Sequence, residues 1–436
     1  MGTNYPEDYS QQHHITTINQ QQELATNNME ETSLPLKENS KRKYCVIGGS
    51  GFLGSHLVMT LLRRGHAVNL TVRNLGKVEN YEFIKKAACQ EGLDDNLQFF
   101  QADLAKDGSF YNAFLDCDGV FATACPLDDA LTRNSSDPKS ELFDPIVNGV
   151  KNVVRECVKI RKEQNERNDS RRLKRLIFTS SITAVSTDAL WDYKSKSWHY
   201  FDEAEWNDKA SLTQCTYAYC KTMSEREAFE LLKGEFSNTQ LEIAAVLPST
   251  MFGPSIGIRK NIGMQPIISS IVDIPAHVRL FCPSVDVRDV ALAHCLVMEK
   301  TSKPVNDQSN GFYIDHDYLA SNQERVIVHN NTICTRDICQ AISKYPQALQ
   351  ILEKKKLKLP TQIPFLENTI GDKILLLGAY LTGPKPQYDL LRGMVGKELH
   401  FSNNYVKGKY GLEFTDLDQT ILETVMHILE HDMHKL

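Results

Sequence analysis

The stretch Val46-Ile47-Gly48-Gly49-Ser50-Gly51-Phe52-Leu53-Gly54-Ser55-His56-Leu57 continues an apolar run begun at Tyr44-Cys45 and decides the fold. It reads as a buried strand, a glycine turn and the start of a helix. Gly48, Gly51 and Gly54 are spaced G-x-x-G-x-x-G. A turn that holds a dinucleotide needs one residue tolerant of unusual dihedrals. It needs a second that lets backbone approach a pyrophosphate, and a third that lets helix pack on strand. The N–H groups at the new helix's start, around Phe52 and Leu53, then face the phosphates. The glycine spacing alone also fits an ordinary tight turn. Its place after a strand and before a helix favours the dinucleotide reading. A Walker loop is excluded, because Ser55 and His56 stand where Lys and Ser or Thr are required.

Working outward, apolar strands at 44–48, 67–72, 97–102, 118–124, 174–180 and 241–247 alternate with helical patterns near 54–64, 77–88, 108–116, 141–163 and 213–234. This rhythm predicts βαβ units and a doubly wound, Rossmann-type α/β fold with helices on both faces of a parallel sheet. After Pro248 the rhythm breaks into Pro/Gly-punctuated, mostly helical pieces. The expected organisation is a disordered tail over 1–40, a cofactor-binding Rossmann domain over 41–250 and a smaller substrate-binding lobe over 251–436, with 285–300 returning to the Rossmann core. The tail is rich in Gln, Asn, Thr and Glu, and cannot bury enough apolar surface to offset its ordering entropy.

Bulk properties exclude several classes. The chain has 436 residues, 41% apolar and 24% charged, with a formal net charge of -6. No general electrostatic affinity for nucleic acid or membrane follows from that balance. The 11 cysteines contain no C-x-x-C pair and no His/Cys set at zinc spacing, so no metal site is expected and all read as reduced thiols. No apolar run reaches the length of a membrane span, and no signal-peptide core opens the chain, so the expected location is the cytoplasm. Ile374–Leu381 suits a buried or substrate-facing helix, and Lys354–Lys358 a solvated helix face.

The second strand ends Val72-Arg73-Asn74, where an NAD-preferring fold carries Asp or Glu. A guanidinium at Arg73 suits a 2′-phosphate, so NADP(H) is expected rather than NAD(H). Asp103-Leu104 follows the third strand, where the carboxylate can accept from adenine. The small residues Ala122 and Ala124 let a cofactor lie against the fourth strand, which Pro126 ends. The fifth strand closes Phe178-Thr179-Ser180-Ser181, at the edge where open α/β sheets bind ligands. Tyr217 and Lys221 follow at i and i+4, on one helix face. An ammonium beside a phenol favours the phenolate and lowers a pKa that is ordinarily about 10. Tyr217 is thus a candidate proton donor and acceptor. Ser181 is the candidate for holding a substrate oxygen, with Ser180 its nearest rival; Tyr219 reads as packing.

These residues, with Val147-Asn148-Gly149, Phe252-Gly253-Pro254, Val285–Ala291 and Tyr410–Thr415, resemble the extended short-chain dehydrogenase/reductases, within them the dihydroflavonol 4-reductase/cinnamoyl-CoA reductase group. The resemblance spans about residues 43 to 430. It implies that Gly48, Gly51 and Gly54 bind cofactor, that Arg73 meets the 2′-phosphate and that Asp103 with Leu104 meets adenine. It implies Tyr217 as proton donor, Ser181 as the carbonyl-orienting hydroxyl and Lys221 as the residue that binds nicotinamide ribose and tunes Tyr217. Pro248 would line the nicotinamide side. The substrate-loop signatures of the plant members are missing, and Asp307–Asn330 and Ala348–Arg392 exceed their compact pattern.

The reading favoured is an NADP(H)-dependent carbonyl reductase or alcohol dehydrogenase acting on a small molecule by hydride transfer. The alternatives are a 3β-hydroxysteroid dehydrogenase-like sterol oxidoreductase, a sugar-nucleotide epimerase or dehydratase, and a non-enzymatic NADP sensor. Ile182-Thr183 follows Ser181 where dehydratases carry an Asp-Glu pair. Substrate identity, direction and oligomeric state are not fixed by the sequence.

Overall fold

A computed structural model describes residues 41–125, 136–169, 173–192, 197–234, 237–239, 241–258, 264, 267–268, 277–299, 323–361, 369–382 and 385–433. The tail expected over 1–40, Pro126, and residues 307–322 of the extra segment lie outside them.

The strands that position the site are β1 (Lys43–Ile47), β2 (Ala67–Val72), β3 (Leu97–Gln101), β4 (Gly119–Ala122), β5 (Arg175–Thr179), β6 (Glu242–Pro248), β7 (Thr250–Phe252), β8 (Phe281–Asp286), β9 (Gln323–Val328) and β10 (Asn331–Cys334). Seven of them form one sheet in the order β9-β6-β5-β4-β1-β2-β3, every neighbouring pair parallel. The winding reverses between β1 and β4, which opens a crevice at their carboxyl ends. The expected Rossmann-type sheet is therefore present.

The helices are α1 (Phe52–Arg63), α2 (Glu82–Gln90), α3 (Tyr111–Phe114), α4 (Asp144–Glu166), α5 (Thr216–Lys233), α6 (Val287–Glu299), α7 (Thr335–Ser343), α8 (Pro346–Lys354), α9 (Thr369–Thr382), α10 (Lys385–Met394), α11 (Asn404–Tyr410) and α12 (Leu417–Glu430). Side chains of β1 alternate between two cores, as the two-residue period of a strand requires. Tyr44 and Val46 join Leu57, Val58 and Leu61 of α1 and Val290 of α6 on one face. Cys45 and Ile47 join Val153 and Cys157 of α4 and Phe229 of α5 on the other. A third core gathers Phe252, Cys282 and Ile333 from β7, β8 and β10 with Ile338, Leu352 and Val425 from α7, α8 and α12.

Two findings depart from the sequence reading. First, β9 comes from a stretch read as mostly helical, yet it adds the edge strand beside β6, with Val326 opposite Val246. Its charges hid it. Glu324 accepts from the Tyr405 hydroxyl at 2.8 Å and from Lys409 Nζ at 2.7 Å. Arg325 is fully buried against Glu225 of α5, Nε to Oε2 2.6 Å. Tertiary partners neutralise both charges, so a polar strand lies in the sheet without orphaned groups. Second, the Ile374–Leu381 stretch is helical within α9 but is not a buried helix: Ile374, Leu377 and Leu381 stand exposed, while Leu375 and Leu376 are half-buried.

Candidate active site

The crevice between β1 and β4 is shaped by backbone. Gly48 closes β1 with φ +78°, a left-handed conformation that favours glycine. A Cβ there would come within 2.8 Å of the Ala124 backbone, and one on Gly54 within 2.1 Å of the Gly48 carbonyl oxygen. Neither position admits a side chain. Gly51 precedes α1 in extended conformation and has no side chain to cap it. The first-turn N–H groups at Phe52 and Leu53 are thus left for an anion at a helix N-terminus.

Ile47 pairs with Thr71, so the chain leaving β2 emerges at the same sheet edge, and Arg73 stands exposed there. Asp103 lies half-buried past β3; its Oδ1 accepts from the Ala105 N–H at 3.0 Å, and its own N–H donates to Ser109 Oγ at 3.1 Å. Leu104, Ala122, Ala124 and Lys221 line one cleft together with Cys125 and Thr179. Pro248, buried at the end of β6, is followed by Ser249, whose buried hydroxyl has no hydrogen-bond partner among the described residues. This donor set fits a dinucleotide: a side-chain-free turn, open helix N–H groups, a cation at the β2 edge and small residues on β4.

The end of β5 brings the candidate chemical groups together. Lys221 Nζ donates to the Thr179 carbonyl at 3.0 Å and lies 5.8 Å from the centre of the Tyr217 ring. The Ser181 side chain lies beside the Tyr217 phenol and lowers its pKa, while Ser181 Oγ accepts from the Thr183 N–H at 3.2 Å. The rival Ser180 is occupied elsewhere, because its hydroxyl donates to Glu225 Oε1 in the buried network around Arg325. Tyr219 stacks on Phe143 at 5.4 Å, as a packing residue does.

Electrostatics correct one expectation. Burial raises the Tyr217 phenol above its usual value and outweighs the lowering by Lys221 and by Ser181. Burial alone would lower the Lys221 ammonium, but Cys125, Tyr217 and Glu225 together carry it above its usual value. The pair is therefore a neutral phenol beside a charged ammonium, not a phenolate. This favours Tyr217 as a proton donor.

Sequence reasoning missed several supporting residues. Thr179, at the end of β5, is one of them. Its carbonyl holds Lys221, and its hydroxyl meets His294 Nε2 at 2.9 Å. The other ring nitrogen, Nδ1, lies 2.8 Å from the Val290 carbonyl, so it carries the proton and Nε2 accepts. Burial drops the His294 pKa to about 4, which keeps the ring neutral. Thr183, two residues past Ser181, has a buried hydroxyl without a partner among the described residues. The helix carrying Tyr217 begins at Cys215 in a left-handed conformation, φ +55°, tied to α10 through Cys215 N–H and Asp389 Oδ2 at 3.4 Å. Such strain, of order 1–3 kcal/mol, persists only where the surroundings enforce it. The sequence carried no sign of the His294, Glu225 and Arg325 contacts, which join residues far apart in the chain. Among the described residues no group of His, Cys, Asp or Glu is arranged to hold a metal ion.

Comparison with known proteins identifies the family. The model of the 3-beta hydroxysteroid dehydrogenase/isomerase family matches residues 45–329. Dihydroflavonol 4-reductase of Gerbera hybrida is 29% identical over 67% of this chain and 73% of its own length. Cinnamoyl-CoA reductase CAD2 of Medicago truncatula is 31% identical over 59% and 72%. The alignment with dihydroflavonol 4-reductase of Callistephus chinensis covers only 55% of that protein. Among solved structures, Gre2 of Candida albicans in complex with NADPH has a TM-score of 0.62 at 21% identity, over 89% of this chain and 99% of that one. Vestitone reductase from alfalfa has a TM-score of 0.58 at 21% identity, over 90% and 100%. The chain belongs to the 3-beta hydroxysteroid dehydrogenase/isomerase family, in the extended short-chain dehydrogenase/reductase group that includes the dihydroflavonol 4-reductases and cinnamoyl-CoA reductases.

Proposed function

We propose that the protein is an NADP(H)-dependent oxidoreductase that interconverts a small-molecule carbonyl and its alcohol. The observation that carries this reading is the meeting of Tyr217, Ser181 and Lys221 at the carboxyl end of β5, beside a glycine-lined crevice. The bound dinucleotide would supply or take the hydride. The turn residues Gly48, Gly51 and Gly54, with the Phe52 and Leu53 amides, would hold its pyrophosphate. Arg73 would meet the 2′-phosphate, Asp103 and Leu104 the adenine, and Ala122, Ala124 and Pro248 the face of the molecule. NADPH in the Gre2 complex and a cation in place of an acid at the end of β2 both support NADP over NAD.

At the reacting carbon, the Ser181 hydroxyl orients the substrate oxygen. Tyr217 delivers a proton to that oxygen as negative charge develops there. Lys221, fixed on the Thr179 carbonyl, would stabilise the phenolate left on Tyr217 when the proton is transferred. Residues 41–250 would serve the cofactor, and the lobe within 251–436 the substrate, with α6 and β9 returning to the sheet. None of the eleven cysteines is in a disulfide. The family description favours, as a second reading, oxidation of a hydroxysteroid by the same groups.

The test is turnover of NADPH by the purified chain against aldehydes, ketones and flavonoids, and of NADP+ against sterols. Consumption that requires one of these substrates supports an oxidoreductase, and the responding class names it. NADPH binding with no turnover in either direction across the panel would leave a sensor instead.

A further inference from the structure

Residues 253–258, which follow β7, lie against the first two helices of the Rossmann half and are held there at several points. The Pro254 carbonyl accepts from His56 Nε2 at 2.9 Å. A carbonyl only accepts, so Nε2 carries the ring's proton. His56 is buried, and burial drops its pKa to about 4, so the ring is neutral. His56 sits one turn past Phe52, at the start of α1, and the two rings meet edge-on at 5.7 Å. Ile256 packs on the same core as Phe52 and Phe83. Gly257, at φ +76°, lies so close to α2 that a Cβ there would meet Phe83 Cβ at 2.9 Å. Phe83 stands in the first turn of α2, two residues past Tyr81, whose hydroxyl donates to the Leu75 carbonyl at 2.9 Å. Leu75 belongs to the turn that carries Arg73.

We infer that residues 253–258 form a strap along the dinucleotide groove, and that His56 is the positioning residue that pins it. The holding points join the two places assigned to the cofactor's phosphates. One is the start of α1, where the Phe52 and Leu53 amides face the pyrophosphate. The other is the start of α2, beside the turn that presents Arg73 to the 2′-phosphate. A segment fixed at both walls the cofactor between them, away from its reacting end. Packing alone does not call for an imidazole here. Leucine or phenylalanine would fill the space without the desolvation cost of a buried polar ring. The bond to Pro254 offsets that cost and ties together residues 198 apart in the chain. Loosening the strap therefore acts on escape of the cofactor more than on its entry. The strap's role depends on the dinucleotide reading of the crevice, and its test separates the two.

The experiment follows NADPH on the full chain by its fluorescence, in equilibrium titration and in stopped-flow displacement by excess NADP+. In His56→Phe, NADPH should dissociate about tenfold faster, with association within about threefold of the parent. His56→Gln, whose amide can still donate to the Pro254 carbonyl, should keep dissociation within about threefold of the parent. Hydrogen exchange on the unaltered chain makes the test independent of how the variants fold: NADPH should slow the amides of residues 255–258 at least about threefold. Equal dissociation from the parent and His56→Phe overturns the proposal, as do strap amides whose exchange NADPH leaves unchanged. Dissociation from His56→Gln as fast as from His56→Phe also overturns it, because the side chain then acts by packing and not through the bond. A parent chain that binds no NADPH overturns the dinucleotide reading, and the strap with it.

Discussion

Replacing Arg325 by Met tests the network behind the candidate site. Arg325 and Glu225 are both fully buried, with Nε and Oε2 2.6 Å apart. Arg325 also donates to the carbonyls of Glu203 at 2.8 Å and Ala184 at 3.4 Å, and its guanidinium lies 3.9 Å from the Trp206 ring centre. Met fills much of the same volume but leaves the Glu225 carboxylate buried with only the Ser180 hydroxyl. Breaking a buried pair from one side costs about 3–5 kcal/mol. Removing both charges with Arg325→Met/Glu225→Leu should cost less than the sum of the single changes, with a coupling of roughly 2 kcal/mol. Urea unfolding read by tryptophan fluorescence measures all three. A double variant that loses the full sum would refute the idea that the two charges stabilise each other rather than act separately.

Three further outcomes follow from the geometry. Arg73→Glu should weaken NADPH by about 10- to 100-fold while NADH gains or holds, because a charge-assisted contact to the 2′-phosphate contributes about 1.5–3 kcal/mol; an unchanged preference in a binding titration would remove Arg73 from the cofactor site. Gly54→Ala should cost about 1–3 kcal/mol in unfolding experiments and impair dinucleotide binding, because the new methyl would fall 2.1 Å from the Gly48 carbonyl oxygen. His294 stays neutral in the fold with a pKa of about 4, while in the unfolded chain it protonates near 6.5. The unfolded state takes up the proton first, so this residue's share of stability is lost as pH falls from about 6.5 to 4, by roughly 3 kcal/mol at most. In His294→Gln that part of the pH dependence should vanish, and an identical slope in the two proteins would refute it.

The parallel sheet was legible because each early strand is an apolar run with a breaker behind it. Val46-Ile47 before Gly48 and Leu176-Ile177-Phe178 before Ser180 need no distant partner to be read. Gly54 was legible for a local reason too, since a helix starting so close to its strand leaves no room for a side chain. β9 was hidden, because Glu324 and Arg325 look like surface residues until Lys409 and Glu225 are brought to them by the fold. The direction of the Tyr217 shift was hidden for a related reason. The spacing to Lys221 is a property of one helix, whereas burial depends on everything packed over it. The exposure of α9 reverses the usual inference from Leu375-Leu376-Leu377, and only tertiary structure decides which side of such a helix is covered.

In the proposed reaction the Tyr217 phenol delivers the proton while a bound dinucleotide exchanges hydride beside it. Turnover and NADPH affinity measured together in Tyr217→Phe test it most directly. Removing a general acid costs about 10²- to 10⁴-fold in rate, and the phenol is not among the groups assigned to the pyrophosphate or the 2′-phosphate. The expected result is a loss of that size in kcat with NADPH affinity within about threefold of the parent. Turnover that survives the substitution within a few-fold would contradict it.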